Sequence, residues 1–326
     1  MFVLLLLHTG AAVAAVGFQW AEAPVPDADP LKIAIWYPTR ATPAYKQIGP
    51  FQMEVAMDAP VTGEHRALIV LSHGTGGSAV NSYDTAMALA EAGFIVAAIQ
   101  HASDNYLDHA LSFTAGNFIN RPQQISRVID FMLTSWPSHS TTDSQRIGLL
   151  GHSAGGTTAL ATGGGVGNWQ RVVEDCRTHP DDWVCSRARA AGTTAAPGPA
   201  PRIAGWDPRV RALVLAAPAI TVIYAPDGLA AVSIPVQLWV GQHDDIVTDA
   251  ARVKTLLPEP PEYHLIPNGG HFAFLAPCNE MLQSAAPQIC ADPKGFDRVA
   301  FLRTFQRQVV AFYRKALPLQ QDAVIR

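Results

Sequence analysis

The chain has 326 residues, enough to bury one large α/β core or two small ones. Hydrophobic residues make up 48% and charged residues 15%, a balance that excludes an intrinsically disordered chain. A net charge of −4 without any basic run argues against nucleic acid as a partner and against electrostatic attachment to a membrane surface.

Residues 1–17 are almost entirely apolar or small, with Ala12-Val13-Ala14 in the pattern of a leader cleavage site. Residues 1–15 are therefore read as a signal peptide and 16–326 as the mature domain, although no Lys or Arg precedes Lys32. His8-Thr9-Gly10 interrupts the run, which falls short of the about 20 apolar residues a membrane-spanning helix needs. The mature chain is expected to have no stable membrane span and to be exported, periplasmic or secreted. The four cysteines fall in two local pairs, Cys176 with Cys185 and Cys278 with Cys290, as expected for short-loop disulfides in an oxidising compartment. Neither pair has Cys-x-x-Cys spacing, so a zinc site is a poor reading.

Residues 31–37 alternate and read as an early strand, and the Pro- and Gly-punctuated 38–65 as loop. Residues 67–71 are a continuous apolar run, a strand buried on both faces, that leads into Ser72-His73-Gly74-Thr75-Gly76-Gly77. A helix over 82–92 closes at Gly93 before a buried strand at 94–99. After a loop over 101–119, Asn120 and Gln123 have the spacing of a helix start, and Ile125, Val128, Ile129, Met132 and Leu133 form its apolar stripe. The strand at 146–150 ends in Gly151-His152-Ser153-Ala154-Gly155, and the small residues 154–163 suit a helix packed close behind a tight turn. Residues 163–208 break the rhythm with Gly, Ala, Pro and three tryptophans (Trp169, Trp183 and Trp206), and read as a lid inserted over the sheet. Strands at 210–217, 236–240 and 263–266, a helix at 248–257, and a C-terminal helix carrying Phe301, Phe305, Val309 and Phe312 complete the chain. This alternation gives an α/β fold: a mostly parallel, doubly wound sheet with helices on both faces.

A serine hydroxyl needs a base, a group that orients the base, and donors for the oxyanion. On a doubly wound hydrolytic sheet these follow in the order serine, acid, histidine, each at the carboxyl end of a strand. Ser153 stands at the first position. Asp244 in Gly241-Gln242-His243-Asp244-Asp245 is the expected acid, with its neighbour Asp245 as the alternative, and His271 in Asn268-Gly269-Gly270-His271 is the expected base. The amides of Thr75 and Ala154 are the expected oxyanion hole. The loop at 73–77 lacks both the Gly-Lys-Ser/Thr of a nucleotide site and the dinucleotide glycine spacing. His101 is a candidate for the entrance, and the tryptophans of the insertion, with Phe272 and Phe274, for an apolar acyl or aromatic pocket.

Ile35-Trp36-Tyr37-Pro38-Thr39, Leu71 to Gly77, Arg121-Pro122, Gly151 to Gly156, and Gly270-His271-Phe272-Ala273-Phe274-Leu275-Ala276-Pro277-Cys278 together resemble the α/β-hydrolases. More narrowly, they are similar to exported predicted dienelactone hydrolases related to platelet-activating-factor acetylhydrolases. The resemblance implies an α/β-hydrolase fold and a carboxylic-ester hydrolase using Ser153, Asp244 and His271 without metal or organic cofactor. True dienelactone hydrolases use a cysteine nucleophile where this chain has Ser153, so that name says little about its substrate. The expected substrate is a small-molecule or lipid-like ester. Polyester or phospholipid hydrolysis, amidase or peptidase activity, and a non-catalytic binding role remain as alternatives.

Overall fold

A computed structural model describes residues 15–193 and 201–319. The expected leader lies outside the described residues except for Ala15, which opens the first strand. β1 (Ala15–Val25) and β2 (Ala28–Thr39) form an antiparallel hairpin turned at Asp27, whose φ is +57°. β3 (Ala44–Ile48) and β4 (Phe51–Met57) form a second hairpin inside the segment read as loop. Its signature is a period of two, with Phe51, Met53 and Val55 buried and Gln52 and Glu54 exposed, hidden among the turn residues on either side.

Strands and helices then alternate: β5 (Arg66–Ser72), α1 (Tyr83–Glu91), β6 (Ile95–Ile99), α2 (Ala115–Thr134), β7 (Thr142–His152) and α3 (Ala154–Thr162). α2 starts earlier than its sequence suggests. Thr114 is its cap and accepts from the Asn117 amide at 3.1 Å, while Asn120 and Pro122 lie inside the helix. Pro122 packs against Gly205, where a Cβ would come within 2.2 Å of the proline Cβ, so tertiary packing holds a proline that local rules would place at a terminus.

The segment 163–208 contains β8 (Gly167–Asn168), α4 (Gln170–Thr178), α5 (Trp183–Ala190) and β9 (Arg202–Ile203). A disulfide between Cys176 and Cys185 ties α4 to α5. Trp169, at the start of α4, is wholly buried and stacks on Phe118 of α2, with ring centroids 5.7 Å apart. The chain finishes with β10 (Val210–Ala216), β11 (Val236–Gly241), α6 (Val253–Leu256), β12 (Glu262–Ile266), α7 (Glu280–Ala285), α8 (Pro287–Cys290) and α9 (Arg298–Ala316). The helix expected at 248–257 is reduced to a 3-10 turn at Ala250–Arg252 running into α6. A second disulfide joins Cys278 to Cys290.

The main sheet has ten strands in the order β12-β11-β10-β7-β5-β6-β2-β1-β4-β3. The six from β12 to β6 are parallel, and β2 and β1 continue them antiparallel. Side chains alternate between two cores. Leu68 and Val70 face α2 and α3, whereas Ile69 and Leu71 face α1 and α9. Burial on both faces explains why the central strands are continuous apolar runs. Among the described residues no helix is long and apolar enough to cross a membrane.

Phe305 of α9 is buried against Trp239, Phe274 and Phe301, with centroids 5.0, 5.4 and 5.8 Å away. Phe305→Ala is expected to lower the unfolding free energy by about 3–5 kcal/mol, read as a shifted urea midpoint.

Candidate active site

β7 lies between β5 and β10, at the middle of the parallel region, and the turn after it carries Ser153. Ser153 has φ +55° and ψ −121°, a conformation a side-chain-bearing residue rarely adopts. Two hydrogen bonds hold it there: its amide donates to the Ala216 carbonyl at 2.9 Å, and its carbonyl accepts from the Ala219 amide at 3.0 Å. The flanking glycines permit the approach. A Cβ on Gly151 would lie 2.1 Å from the Gly155 carbonyl oxygen, and one on Gly155 would lie 1.9 Å from that of Ser72. The serine thus caps α3, where the helix macrodipole favours negative charge.

The turns after β11 and β12 meet this elbow. His271 Nε2 is 3.0 Å from Ser153 Oγ, and His271 Nδ1 is 2.8 Å from Asp244 Oδ2. The other carboxylate oxygen of Asp244 accepts from the amides of Ile246 (3.1 Å) and Val247 (2.8 Å). Asp245, its exposed neighbour, does not face the histidine but lines a groove on the other side of the same turn. The sequence left these two aspartates open because both sit in one turn. What separates them is which carboxylate receives the amides that follow.

Thr75 lies in the loop after β5. Gly74 is against the elbow, where a Cβ would be 3.0 Å from the Ser153 Cβ. Among the described residues, neither the Thr75 nor the Ala154 amide has a hydrogen-bond acceptor. No group of three or more His, Cys, Asp or Glu among them is placed to hold a metal ion.

Several buried polar residues surround the site, and of these only His101 had been given a place from the sequence. His152 Nε2 donates to the His271 carbonyl at 3.0 Å, and burial, with the nearby His271 adding to it, pushes the His152 imidazole down to about 3. His101 does not line an entrance. It is wholly buried, its Nδ1 donating to Gln124 Oε1 and its Nε2 accepting from Ser72 Oγ, both at 2.8 Å. Behind the loop of Thr75, Arg121 pairs with Asp104 at 2.5 Å, both with no exposed side-chain surface. The available clue was a charged residue on the apolar stripe of α2, between Phe118 and Ile125.

The aromatics divided as well. Trp169 and Phe274 are core, and Trp206 is 70% exposed. Trp183, 38% exposed, lines a groove of about 470 Å³ whose wall is apolar at Val184, Ile220, Val222, Ile246 and Val247 and charged or polar at Arg171, Asp175, His179, Asp182, Asp245, Asp249 and Arg252. That groove shares its wall with the site, since Ile246 and Val247 are the residues whose amides hold Asp244.

A ferulic acid esterase from Streptomyces cinnamoneus has a similar structure, with a TM-score of 0.64 over 95% of this chain and 92% of that one, at 20% sequence identity. The chain has the α/β-hydrolase fold. No protein-family pattern matches it, and no curated protein is similar to it in sequence.

The neutral state of His152 has a thermodynamic consequence. An unfolded chain binds a proton at this residue near pH 6.5, whereas the folded chain does so only near 3. Between these values the unfolded state holds the extra proton, so this residue's contribution to stability is lost as pH falls. His152→Gln keeps an N–H donor for the His271 carbonyl but does not titrate. Urea midpoints at neutral pH and near pH 5 are expected to separate less in this variant than in the wild type.

Proposed function

We propose that this chain is a serine esterase that hydrolyses carboxylic esters through an acyl-enzyme. The observation that carries this is the row Ser153 Oγ, His271 Nε2, His271 Nδ1 and Asp244 Oδ2, with contacts of 3.0 and 2.8 Å, on a turn strained toward the end of a helix. His271 takes the Ser153 proton as the oxygen attacks the ester carbonyl, and Asp244 holds the imidazole and balances its cation. The amides of Thr75 and Ala154 receive the developing oxyanion. The tetrahedral intermediate collapses, and the C–O bond to the alcohol breaks as His271 returns the proton to the departing oxygen. Water, deprotonated by His271, then attacks the acyl carbon and regenerates Ser153 with release of the acid.

The apolar or aromatic arm of the ester occupies the groove of Trp183, Ile220 and Ile246. In support, Ile220 directly follows Ala219, which bonds the Ser153 carbonyl, and the similarly folded protein from Streptomyces cinnamoneus is a ferulic acid esterase. The first 15 residues act as a leader and 163–208 as a lid. The two disulfides support an exported, periplasmic or secreted protein. Membership of the predicted dienelactone hydrolase group rests on the motifs already quoted.

The wild type is expected to hydrolyse p-nitrophenyl esters and to react with a fluorophosphonate at Ser153. Ser153→Ala should lose both, and wild-type turnover in that variant would refute the assignment. Trp183→Ala should raise KM for aryl-acid esters by about tenfold while acetate esters change little, as expected for losing one large apolar contact in a pocket. An equal change for both would show that the groove does not receive the acyl arm.

A further inference from the structure

The loop carrying Thr75 is short and rich in glycine. Its glycines lack side chains for packing, and Gly76 sits at φ +68°. The polar groups on either side of Thr75 nevertheless have fixed partners. The His73 carbonyl accepts from Arg121 Nη2. The Gly74 carbonyl accepts from His73 Nδ1 at 2.7 Å and from the Gly77 amide at 3.0 Å. The Gly76 amide donates to Asp104 Oδ1 at 3.2 Å. Arg121 and Asp104 are joined to each other at 2.5 Å. The ion pair therefore grips the loop on both sides of the Thr75 amide.

Both partners are held from outside the loop. Asp104 Oδ1 accepts from Ser112 Oγ at 2.7 Å, and Asp104 Oδ2 accepts from Asn117 Nδ2 at 2.6 Å. Ser112 and Asn117 flank the start of α2, the helix that bears Arg121, so the loop is referenced to a rigid element. The two imidazoles nearby add no mobile charge. Burial, with the Arg121 charge adding to it, pushes His73 down to about 4 and His101 well below its ordinary value. His73 Nε2 is then free to accept from the His101 amide, at 3.1 Å. Removing two charges from water is costly, and such a pair gives little net stability compared with apolar residues of the same volume. Its strength lies in geometry, because a bonded guanidinium and a carboxylate with four donors leave little freedom.

We propose that Arg121 and Asp104 are positioning residues for the oxyanion hole: the buried ion pair fixes the loop at residues 73–76 so that the Thr75 amide faces the oxyanion, which presupposes that Ser153 is the nucleophile. Neither touches substrate. They act on the transition state alone, because the donor they place gains most when the carbonyl oxygen becomes charged.

The test compares kcat, KM and the affinities of two inhibitors in Asp104→Asn, Arg121→Met and Arg121→Lys. A trifluoromethyl ketone adds reversibly to Ser153 and forms an oxyanion, whereas the parent methyl ketone stays uncharged. Expected is a fall in kcat of about 10²-fold in Asp104→Asn and Arg121→Met, with KM nearly constant and the trifluoromethyl ketone losing affinity by a similar factor relative to the methyl ketone. Arg121→Lys should recover part of the loss. Ser112→Ala removes one donor without stranding a charge. It should fold as wild type and still shift the same inhibitor ratio by a few-fold. Folded variants that keep wild-type kcat and an unchanged inhibitor ratio, or that lose melting temperature alone, would overturn the inference while leaving the esterase reading intact. Absence of fluorophosphonate labelling in the wild type would overturn both.

Discussion

A single strained residue sets the terms for everything around it. Ser153 sits in a backbone conformation that costs about 1–3 kcal/mol, and such a cost is met only where the surroundings determine the conformation more than once. Here the neighbouring strands do so. β10 supplies the Ala216 carbonyl to the Ser153 amide, and β5 ends where the Ser72 carbonyl leaves no room for a side chain at Gly155. Because β5, β7, β10, β11 and β12 are parallel, their carboxyl ends open on one edge of the sheet. Five turns distant in sequence are thereby delivered to one place: the loop of Thr75, the elbow, residues 217–220, the Asp244 turn and the His271 turn.

Two electrostatic environments meet at this edge. On one side Asp244 and His271 form a pair whose second carboxylate oxygen is held by backbone amides, so its orientation does not depend on another side chain. On the other side a full positive charge, Arg121, is buried beside two neutral histidines and neutralised by one carboxylate. Burial works against the charge of Asp104, but Arg121, Ser112 and Asn117 outweigh it and hold the carboxyl below its usual range. The low dielectric that makes such a network expensive also makes its bonds stiff. Stiffness is what a loop made of glycine lacks.

Much of the parallel sheet was legible because burial on both faces writes strands as apolar runs, as at residues 67–71 and 94–99. The positions of Ser153 and His271 followed from glycines that a sharp turn requires. The N-terminal hairpins were less visible. β3 and β4 are short and bounded by turn residues, and β4 alternates rather than runs. α2 misled at its start because Asn120 and Pro122 mimic a helix terminus, and only the contact with Gly205 explains a proline inside it. The partners of Arg121 were beyond local reading. His73 lies 48 residues away and Asp104 lies 17 away in an irregular loop, and no periodicity links them.

Ser153 and His271 differ in how securely the sheet holds them. Ser153 follows a central strand with a neighbour on each side, whereas His271 follows β12, which ends the sheet and pairs with β11 alone. Leu265 on that strand is half exposed. Terminal strands open by local fluctuation at lower free energy than the centre. The disulfide between Cys278 and Cys290 closes the chain just after His271, and α9 packs against the turn that carries it through Phe274 and Phe305. The contact between Ser153 and His271 thus runs from the centre of the sheet to its edge, and is only as durable as the terminal strand.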